Sequence, residues 1–528
     1  MQGKKQYQEK LFLNFQLSDR IPPDNFYRRL KEQMDLQWLY AATKKYYGSE
    51  GQVSIDPVVF FKLILIGYLE NLGSDRRIIN TVTMRLDMLY FIGYDIDEPL
   101  PWHSTLSRTR QLYGDDLFKQ LFKQVLNQCI NKGMVSGRRQ ALDSVFVKAN
   151  ASMDSLQQKA ILDDGDDYTS ELTAEDPLPT DTDKGGSDTV SSTKQSQVNQ
   201  HHQWKAKAYK DMPKGKSFTK AESADHIRPK FVSNDTHFST TDRQARISVK
   251  PGKPRQLNYL AQVSVDTASH IITNIESHYA DKKDSQCLAE AIGHTLENLS
   301  LQGLIVEEVL ADGGYSSGEA LQYLESQNLT GYIPNFGQYK PDREGFIYNE
   351  QLDQYECQQG NKAILPFKRL LTGSKGYVNK TYRSSEAACR NCPLQASCLG
   401  KVTKFKKIDS TIDKPLYDRM HERLQTSKAR RMKKLRSSTV EPVIGTLSNF
   451  LAMRRVNTRG KIQSNKCMLM AAIAYNLKKL LKFTPPKVQV STQTISRGIK
   501  LHENGIVQWY YSLLSQLKII VKEFDIKS

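Results

Sequence analysis

The hydrophobic period of this chain changes near residue 135, and that change limits the folds open to it. Residues 18–130 carry apolar side chains at helical spacing, clearest in Pro57–Leu69 and Leu117–Ile130, where one face of each segment suits burial. Asp56-Pro57 and Ser104 read as helix N-caps, and no run there has strong strand character. Beyond the change, Ala141–Ala149 reads as a strand. Leu257–Val265 and His270–His278 alternate as two more, joined by the turn Asp266-Thr267-Ala268-Ser269. Ser285–Leu299 reads as a helix, Ile305–Ala311 as a strand and Ser317–Ser326 as a helix. The order β, β, β, α, β, α predicts an α/β core on a mixed sheet, behind an all-α N-terminal region. Residues 340–410 read as irregular and Glu441–Leu481 as helical.

Charge divides the chain a second way. The formal net charge is +18 over 528 residues, and residues 401–482 alone hold 21 Lys and Arg against 5 Asp and Glu. Such an excess points to a polyanionic partner, nucleic acid or an anionic membrane face. Residues 154–198 are the reverse, with 11 acids against 3 bases and Tyr168 as the sole aromatic. That composition cannot bury enough apolar surface to fold, so 154–199 reads as an acidic disordered linker. A solvated linker also explains the cluster Asp163, Asp164, Asp166 and Asp167 better than a cation site does.

Several classes fall away. The longest apolar run, Phe60–Leu69, contains Lys62 and is far shorter than the ~20 residues a bilayer span requires. The N-terminus is basic and polar with no secretory signal pattern. Seven cysteines in a chain of this length do not make a disulfide scaffold. The expectation is a cytoplasmic, nucleoid-associated protein with no membrane partner.

Three carboxylates stand out by position. Asp143 interrupts a strand that otherwise wants burial. Asp312 follows a strand and precedes Gly313-Gly314-Tyr315, at the strand edge where open α/β sheets bind ligands. Glu441, beside Pro442, is the only acid between Arg423 and Glu503. Taken singly, each has a plain reading: an edge-strand surface residue, a turn residue, and a first-turn helix acid favoured by the helix dipole. Taken together they suit phosphodiester chemistry. Two Mg2+ ions about 3.5–4 Å apart can activate a water or a 3′-hydroxyl and stabilise the leaving oxygen. Mg2+ takes hard oxygen ligands and keeps several waters, so three carboxylates suffice when a DNA phosphate completes the shell. Asp143 would then bridge both ions, with Asp312 and Glu441 each holding one.

At these residues the sequence resembles the DDE transposases of bacterial insertion sequences, most closely the insertion-sequence family numbered 1182. The resemblance lies in SIDPVVFFKLILIGYLENLGSDRRI and PWHSTLSRTR, in ALDSVFVKANAS around Asp143, in LADGGYSS around Asp312, and in the long STVEPVIGTLSNFLAMRRVNTRGKIQSNKCMLMAAIAYNLKKLLKF carrying Glu441. It implies an RNase H-like catalytic fold, a helical DNA-binding N-terminal domain, and Asp143, Asp312 and Glu441 as the acids holding Mg2+ or Mn2+. It further implies binding of double-stranded transposon ends and target, and the reaction makes a homodimer the expected synaptic unit. One departure is visible. Relatives often carry a Lys after the catalytic Glu, with Tyr and Arg before it; here Ser448 stands seven past Glu441 and no Tyr precedes it nearby. Arg436, Arg454, Arg455, Arg459 and Lys461 are the alternative phosphate contacts.

Two further features remain. Cys389-x2-Cys392-x5-Cys398, with Cys357 upstream, reads either as a structural Zn2+ site or as unligated thiols. Cys129, Cys287 and Cys467 lie in apolar helical contexts and read as core. The run containing Arg430, Arg431, Lys433, Lys434 and Arg436 reads as a phosphate-tracking surface, with a solvated helix face or a basic arm as the alternative. Phosphate contacts carry no sequence information, so end recognition falls to the N-terminal helices, with Arg76, Arg77, Arg108 and Arg110 as candidates. The expected organisation is a helical domain at 1–135, a core split over 136–153 and 200–336 by the linker, and an irregular Cys-containing insertion at 337–425. A basic helical segment at 426–482 and a tail at 483–528, with an amphipathic stretch at Val507–Val521, complete it. The rivals to a transposase are an RNase H-like nuclease that cuts without joining and a DNA-binding protein with decayed acids.

Overall fold

Among the described residues, eight α-helices precede the first long strand, as the helical period of 18–130 predicts. They are α1 (Leu17–Arg20), α2 (Phe26–Gln33), α3 (Trp38–Thr43), α4 (Pro57–Leu69), α5 (Asp75–Thr83), α6 (Leu86–Ile92), α7 (His103–Leu112) and α8 (Asp115–Asn131). The computed structural model describes residues 16–48, 50, 54–162, 189–191, 233–248 and 254–484, except 336, 338, 340, 342, 374–376 and 400–402. Most of the acidic linker and the stretch Val507–Val521 lie outside the described residues.

Helix α4 starts where expected: the Asp56 carboxylate accepts from the Val58 and Val59 amides at 2.6 and 3.1 Å, and Pro57 fills the first helical position. It is not one-sided, however. Eleven of its residues are buried, because α3, α5, α6 and α7 pack around it together with a helix from the far end of the chain. Ser104 is not a cap. Helix α7 is preceded by Trp102, and the Ser104 hydroxyl, already inside the helix, accepts from Arg108 at 3.1 Å.

Strand β1 (Arg139–Lys148) opens the sheet, and β2 (Leu156–Gln158) pairs with β3 (His237–Ser239) outside it. After β4 (Arg246–Ser248) come β5 (Gln256–Asp266) and β6 (Ile272–Tyr279), helix α9 (Asp284–Ser300), β7 (Glu308–Leu310), helix α10 (Gly318–Ser326) and β8 (Thr330–Tyr332). The strand order is β8-β7-β1-β5-β4, with β6 also on β5. Strands β7 and β8 run parallel to β1, whereas β4, β5 and β6 form an antiparallel ribbon. The mixed sheet is as expected, although the strand read at Ile305–Ala311 is only Glu308–Leu310.

Residues 340–410 are not irregular. Strands β9 (Phe346–Asn349), β10 (Gln354–Cys357), β11 (Ile364–Thr372), β12 (Val378–Arg383) and β13 (Lys407–Thr411) form an antiparallel meander, with short helices α11 (Glu386–Arg390) and α12 (Gln395–Cys398) before the last strand. Its core is small: Tyr355, Leu365, Tyr382 and Ile408, flanked by Phe346 and Tyr348.

The chain then forms α13 (Lys414–Leu424), α14 (Ser427–Phe450) and α15 (Lys461–Lys482). The stretch Glu441–Leu481 is therefore not one helix. Helix α14 begins fourteen residues before Glu441, capped by the Thr426 hydroxyl on the Ala429 amide at 3.1 Å, and Pro442 lies inside it. Helix α15 is buried along most of its length between α8, α4 and β6. Asn476 clasps the backbone of Ile272 through both N–H and C=O, at 3.0 and 2.9 Å. The Lys466 ammonium donates to the carbonyls of Arg110 and Tyr113 at 3.0 and 2.6 Å. These links make the helices and the sheet, up to Lys482, one compact unit.

Candidate active site

The strand register places the first two acids. In the parallel pair β1–β7, Leu310 stands opposite Ala141. Continuing two residues along both chains sets Asp312 level with Asp143. Asp312 has left the strand by then and caps a single turn, Gly313–Tyr315, its Oδ1 accepting from the Gly314 amide at 2.9 Å. Asp143 stays inside β1 with its side chain 20% exposed. Its Oδ1 accepts from the Ser144 amide at 2.8 Å and its Oδ2 from Arg436 Nη1 at 3.0 Å. Burial pushes the Asp143 carboxyl above the usual range. The Ser144 amide and Arg436 pull it back, and Asp312 adds to the rise.

Helix α14 brings the third acid. Arg436 and Glu441 lie on it, and Arg436 reaches from Asp143 to Glu441 Oε1 at 3.4 Å. Glu441 is exposed, with 59% of its side chain in solvent. It sits mid-helix, so the first-turn reading of this acid is wrong: no free N-terminal amides lie near it to favour a negative charge.

A fourth carboxylate joins them. Asp284, the first residue of α9, accepts from Gln262 Nε2 at 3.2 Å. A Cβ on Gly314 would lie 2.9 Å from Asp284 Oδ2 and 3.0 Å from Asp312 Oδ1, so the two acids flank a position that glycine keeps open. The buried Tyr315 hydroxyl donates to the Gln262 carbonyl. Burial, then Asp284, Asp143 and Asp312, push that hydroxyl well above its usual range, so it stays a neutral donor. Sequence reasoning missed Asp284, Gln262 and Tyr315. In the sequence, Asp284 has only the signature of a helix-start acid, which gives no sign of its neighbours.

The four oxygen-rich side chains fit a divalent cation by donor type. One oxygen from each of Asp143, Asp312 and Glu441 does not fall within 4.8 Å of the others. A single ion therefore cannot take all three in this arrangement. The cysteines behave differently. Among the described residues no three of Cys357, Cys389, Cys392 and Cys398 approach to that distance. Cys389 is buried against the Ser384 hydroxyl at 3.2 Å and Cys357 donates to the Gln359 carbonyl at 2.8 Å.

Basic side chains are exposed on the helix that carries Glu441, on the link that follows it and on the N-terminal helices. Arg430, Arg431, Lys433 and Lys434 are exposed along α14. Arg454, Arg455 and Arg459 are exposed in the link between α14 and α15. Arg454 and Arg455 line a cleft of about 660 Å³ with Lys148, Asn449 and Ser448, and Arg455 also donates to Asn150 at 3.0 Å. Lys461 lies over the Tyr279 ring at 5.2 Å. Arg76, Arg77 and Arg108 are exposed on α5 and α7. Arg110 is not available to DNA: it is 5% exposed and forks onto Asp75 at 2.6 and 3.0 Å.

Residues 15–112 match a family model described as a transposase domain (DUF772), and residues 356–481 match one described as a transposase DDE domain. Both matches are to transposase families and support an insertion-sequence DDE transposase. No curated protein matches it. The first match covers α1–α7, and the second runs from β10 through α15, taking in Cys357, Cys389, Cys392, Cys398, Arg436 and Glu441. Asp143 and Asp312 lie between the two matches, so it is the sheet register and Arg436 that tie them to Glu441. No helix among the described residues is long and apolar enough to cross a membrane.

Proposed function

We propose that this transposase, of the insertion-sequence family numbered 1182, binds the terminal inverted repeats of its element, cleaves the phosphodiester bonds there and joins the freed 3′-hydroxyls to target DNA. The observation that carries this reading is the register that sets Asp312 level with Asp143, under a helix whose Arg436 links Asp143 to Glu441. Strand order β8-β7-β1-β5, with acids on β1 and just past β7, supports an RNase H-like core.

Asp143, Asp312 and Glu441 would hold two Mg2+ or Mn2+ ions, which when bound supply Lewis-acid activation of the attacking oxygen and charge neutralisation at the leaving oxygen. The protein's own groups do the rest. Asp143, mostly buried between the Ser144 amide and Arg436, would offer its carboxylate to the ions. Arg436, which here holds Asp143 and Glu441, would meet a phosphate where those acids hold ions instead. Gln262 and the Tyr315 hydroxyl keep Asp284 oriented beside Asp312. Arg430, Arg431, Lys433, Lys434, Arg454, Arg455, Arg459 and Lys461 track the backbone. Arg76, Arg77 and Arg108 place the helical region on the element's end, with a homodimer bringing two ends together.

The test is a cleavage and strand-transfer assay on a labelled duplex bearing the element's end, with Mg2+ and with EDTA, wild type beside Glu441→Gln. Metal-dependent nicking and joined products, both lost in the variant, are expected. Nicking without joining would favour the nuclease reading, and salt-sensitive binding without chemistry would favour a DNA-binding protein.

A further inference from the structure

A second cluster of ligating side chains lies on the sheet face covered by α9. Glu276 and His278 are two apart on β6 and so project to one face; Glu290 and His294 are four apart on α9, one turn, and meet them. His278 Nε2 lies 2.9 Å from Glu276 Oε1, His294 Nδ1 lies 2.6 Å from Glu276 Oε2, and His278 Nδ1 lies 3.6 Å from Glu290 Oε2. One ligand atom each from Glu276, His278 and Glu290 fall within 4.8 Å of one another, the single such trio of His, Cys, Asp or Glu among the described residues.

His278 is 1% exposed and its Nδ1 has no hydrogen-bond partner. A neutral imidazole carries one proton. His278 Nε2 faces Glu276, and the buried Nδ1 faces the Glu290 carboxylate at 3.6 Å, too far for a hydrogen bond. The lysines of the adjoining cleft do not fill the gap. Lys119 is paired with Asp115 at 2.8 Å, Lys123 with Glu297 at 2.7 Å, and Lys461 lies over Tyr279. Meanwhile Glu290 and His294 are about half exposed, at 49% and 51%, and open the cluster to a cleft of about 410 Å³.

We propose that Glu276, His278 and Glu290 form a binding site for one first-row transition-metal dication, zinc by preference, separate from the Asp143 site, with His294 holding the Glu276 carboxylate in place. An imidazole beside two carboxylates favours such an ion over Mg2+, which prefers an all-oxygen shell. Three ligand atoms within 4.8 Å of one another can close on one ion with small side-chain rotations, leaving its fourth position to water. The ion would staple α9 to β6. The first residue of α9 is Asp284, beside Asp312, so the staple steadies one wall of the acidic site.

The test is zinc retention by the full-length protein, stripped with chelator, reloaded with Zn2+ in excess Mg2+ and passed through gel filtration. Wild type is compared with His294→Ala, with Glu290→Gln and with a Cys389→Ser/Cys392→Ser control, each checked for unchanged far-UV circular dichroism. Both altered residues are half exposed, so the fold tolerates their loss. Wild type and the thiol control should retain one more equivalent than either cluster variant. Zn2+ should raise the thermal midpoint of the first two proteins and leave both cluster variants unmoved. No retained zinc in wild type, equal zinc in all four proteins, or loss confined to the thiol control would overturn the proposal.

Discussion

Arg436 places one fixed positive charge against two acids, Asp143 and Glu441, yet the Asp143 carboxyl remains above its usual range, with burial the largest cause. The fold therefore disfavours the charged form that cation binding requires, the expected condition of a site built for an ion. Asp143→Asn should abolish cleavage while its thermal midpoint at neutral pH holds or rises; a fall of several degrees would make the residue structural. Arg110 and Asp75 present the opposite case, a buried ion pair with each partner dependent on the other. Asp75→Ala leaves Arg110 uncompensated in the interior and should cost about 3–5 kcal/mol in denaturant unfolding. Lys466 is a third. Burial holds its ammonium down to about 8 from an ordinary 10.5. Above pH 8 the native chain releases a proton that the unfolded chain keeps up to about 10.5, so Lys466 makes stability rise with pH across that window. Lys466→Met should flatten the rise, measured as the difference between wild-type and variant unfolding free energies at about pH 7.5 and about pH 10.

Pro442 explains both what was legible in the element α14 and what was not. An acid followed by proline is the usual opening of a helix, so Glu441-Pro442 reads as a start and the basic run before it as a separate arm. The burial of Ala429, Met432, Val440, Val443 and Leu447 along one side makes it a single helix instead, continuous through the proline. Periodicity around a proline is ambiguous from sequence, because tertiary packing decides whether the missing hydrogen bond is tolerated. The same limit hid the meander: β11 is mostly exposed and alternates poorly, and its core consists of a few aromatic side chains supplied by several short strands. The long strands β1, β5 and β6, by contrast, were visible because their apolar residues alternate in sequence, although β5 and β6 are buried on both faces. Pro442 leaves the Ser438 carbonyl without its helical donor, in the turn before Glu441. Pro442→Ala should therefore raise the thermal midpoint, by up to about 3 kcal/mol of helix stability, and at the same time slow cleavage as the turn holding Glu441 tightens. Melting curves and initial cleavage rates moving in opposite directions would bear this out; both rising together would detach the proline from the site.

At the scale of the molecule, helix α15 joins the two family matches physically. It carries the end of the DDE match, and its side chains hold the carbonyls of Leu69 and Arg110 in the N-terminal match and of Tyr113 just past it. In the proposed function, end recognition and chemistry would thereby share one compact framework, with charge divided between them. The exposed residues of α14 lie next to Glu441 and, in the proposed function, meet only the DNA backbone. Arg76 and Arg77 stand in the first turn of α5, which Ser74 caps, and lie in the region that would read the element's end. Replacing Arg430, Arg431, Lys433 and Lys434 together by Ala should weaken binding to end and random duplex alike. The slope of log affinity against log salt should also fall by roughly 0.9 for each phosphate that the variant no longer neutralises. Arg76→Ala/Arg77→Ala should instead narrow the gap between end and random duplex, at a smaller cost in salt slope. Fluorescence anisotropy on both duplexes over a salt series separates the two effects. If the α14 variant lost preference for the end while the α5 variant lost only affinity, the helix beside the catalytic acids would be the reader, and the N-terminal helices would serve as its scaffold.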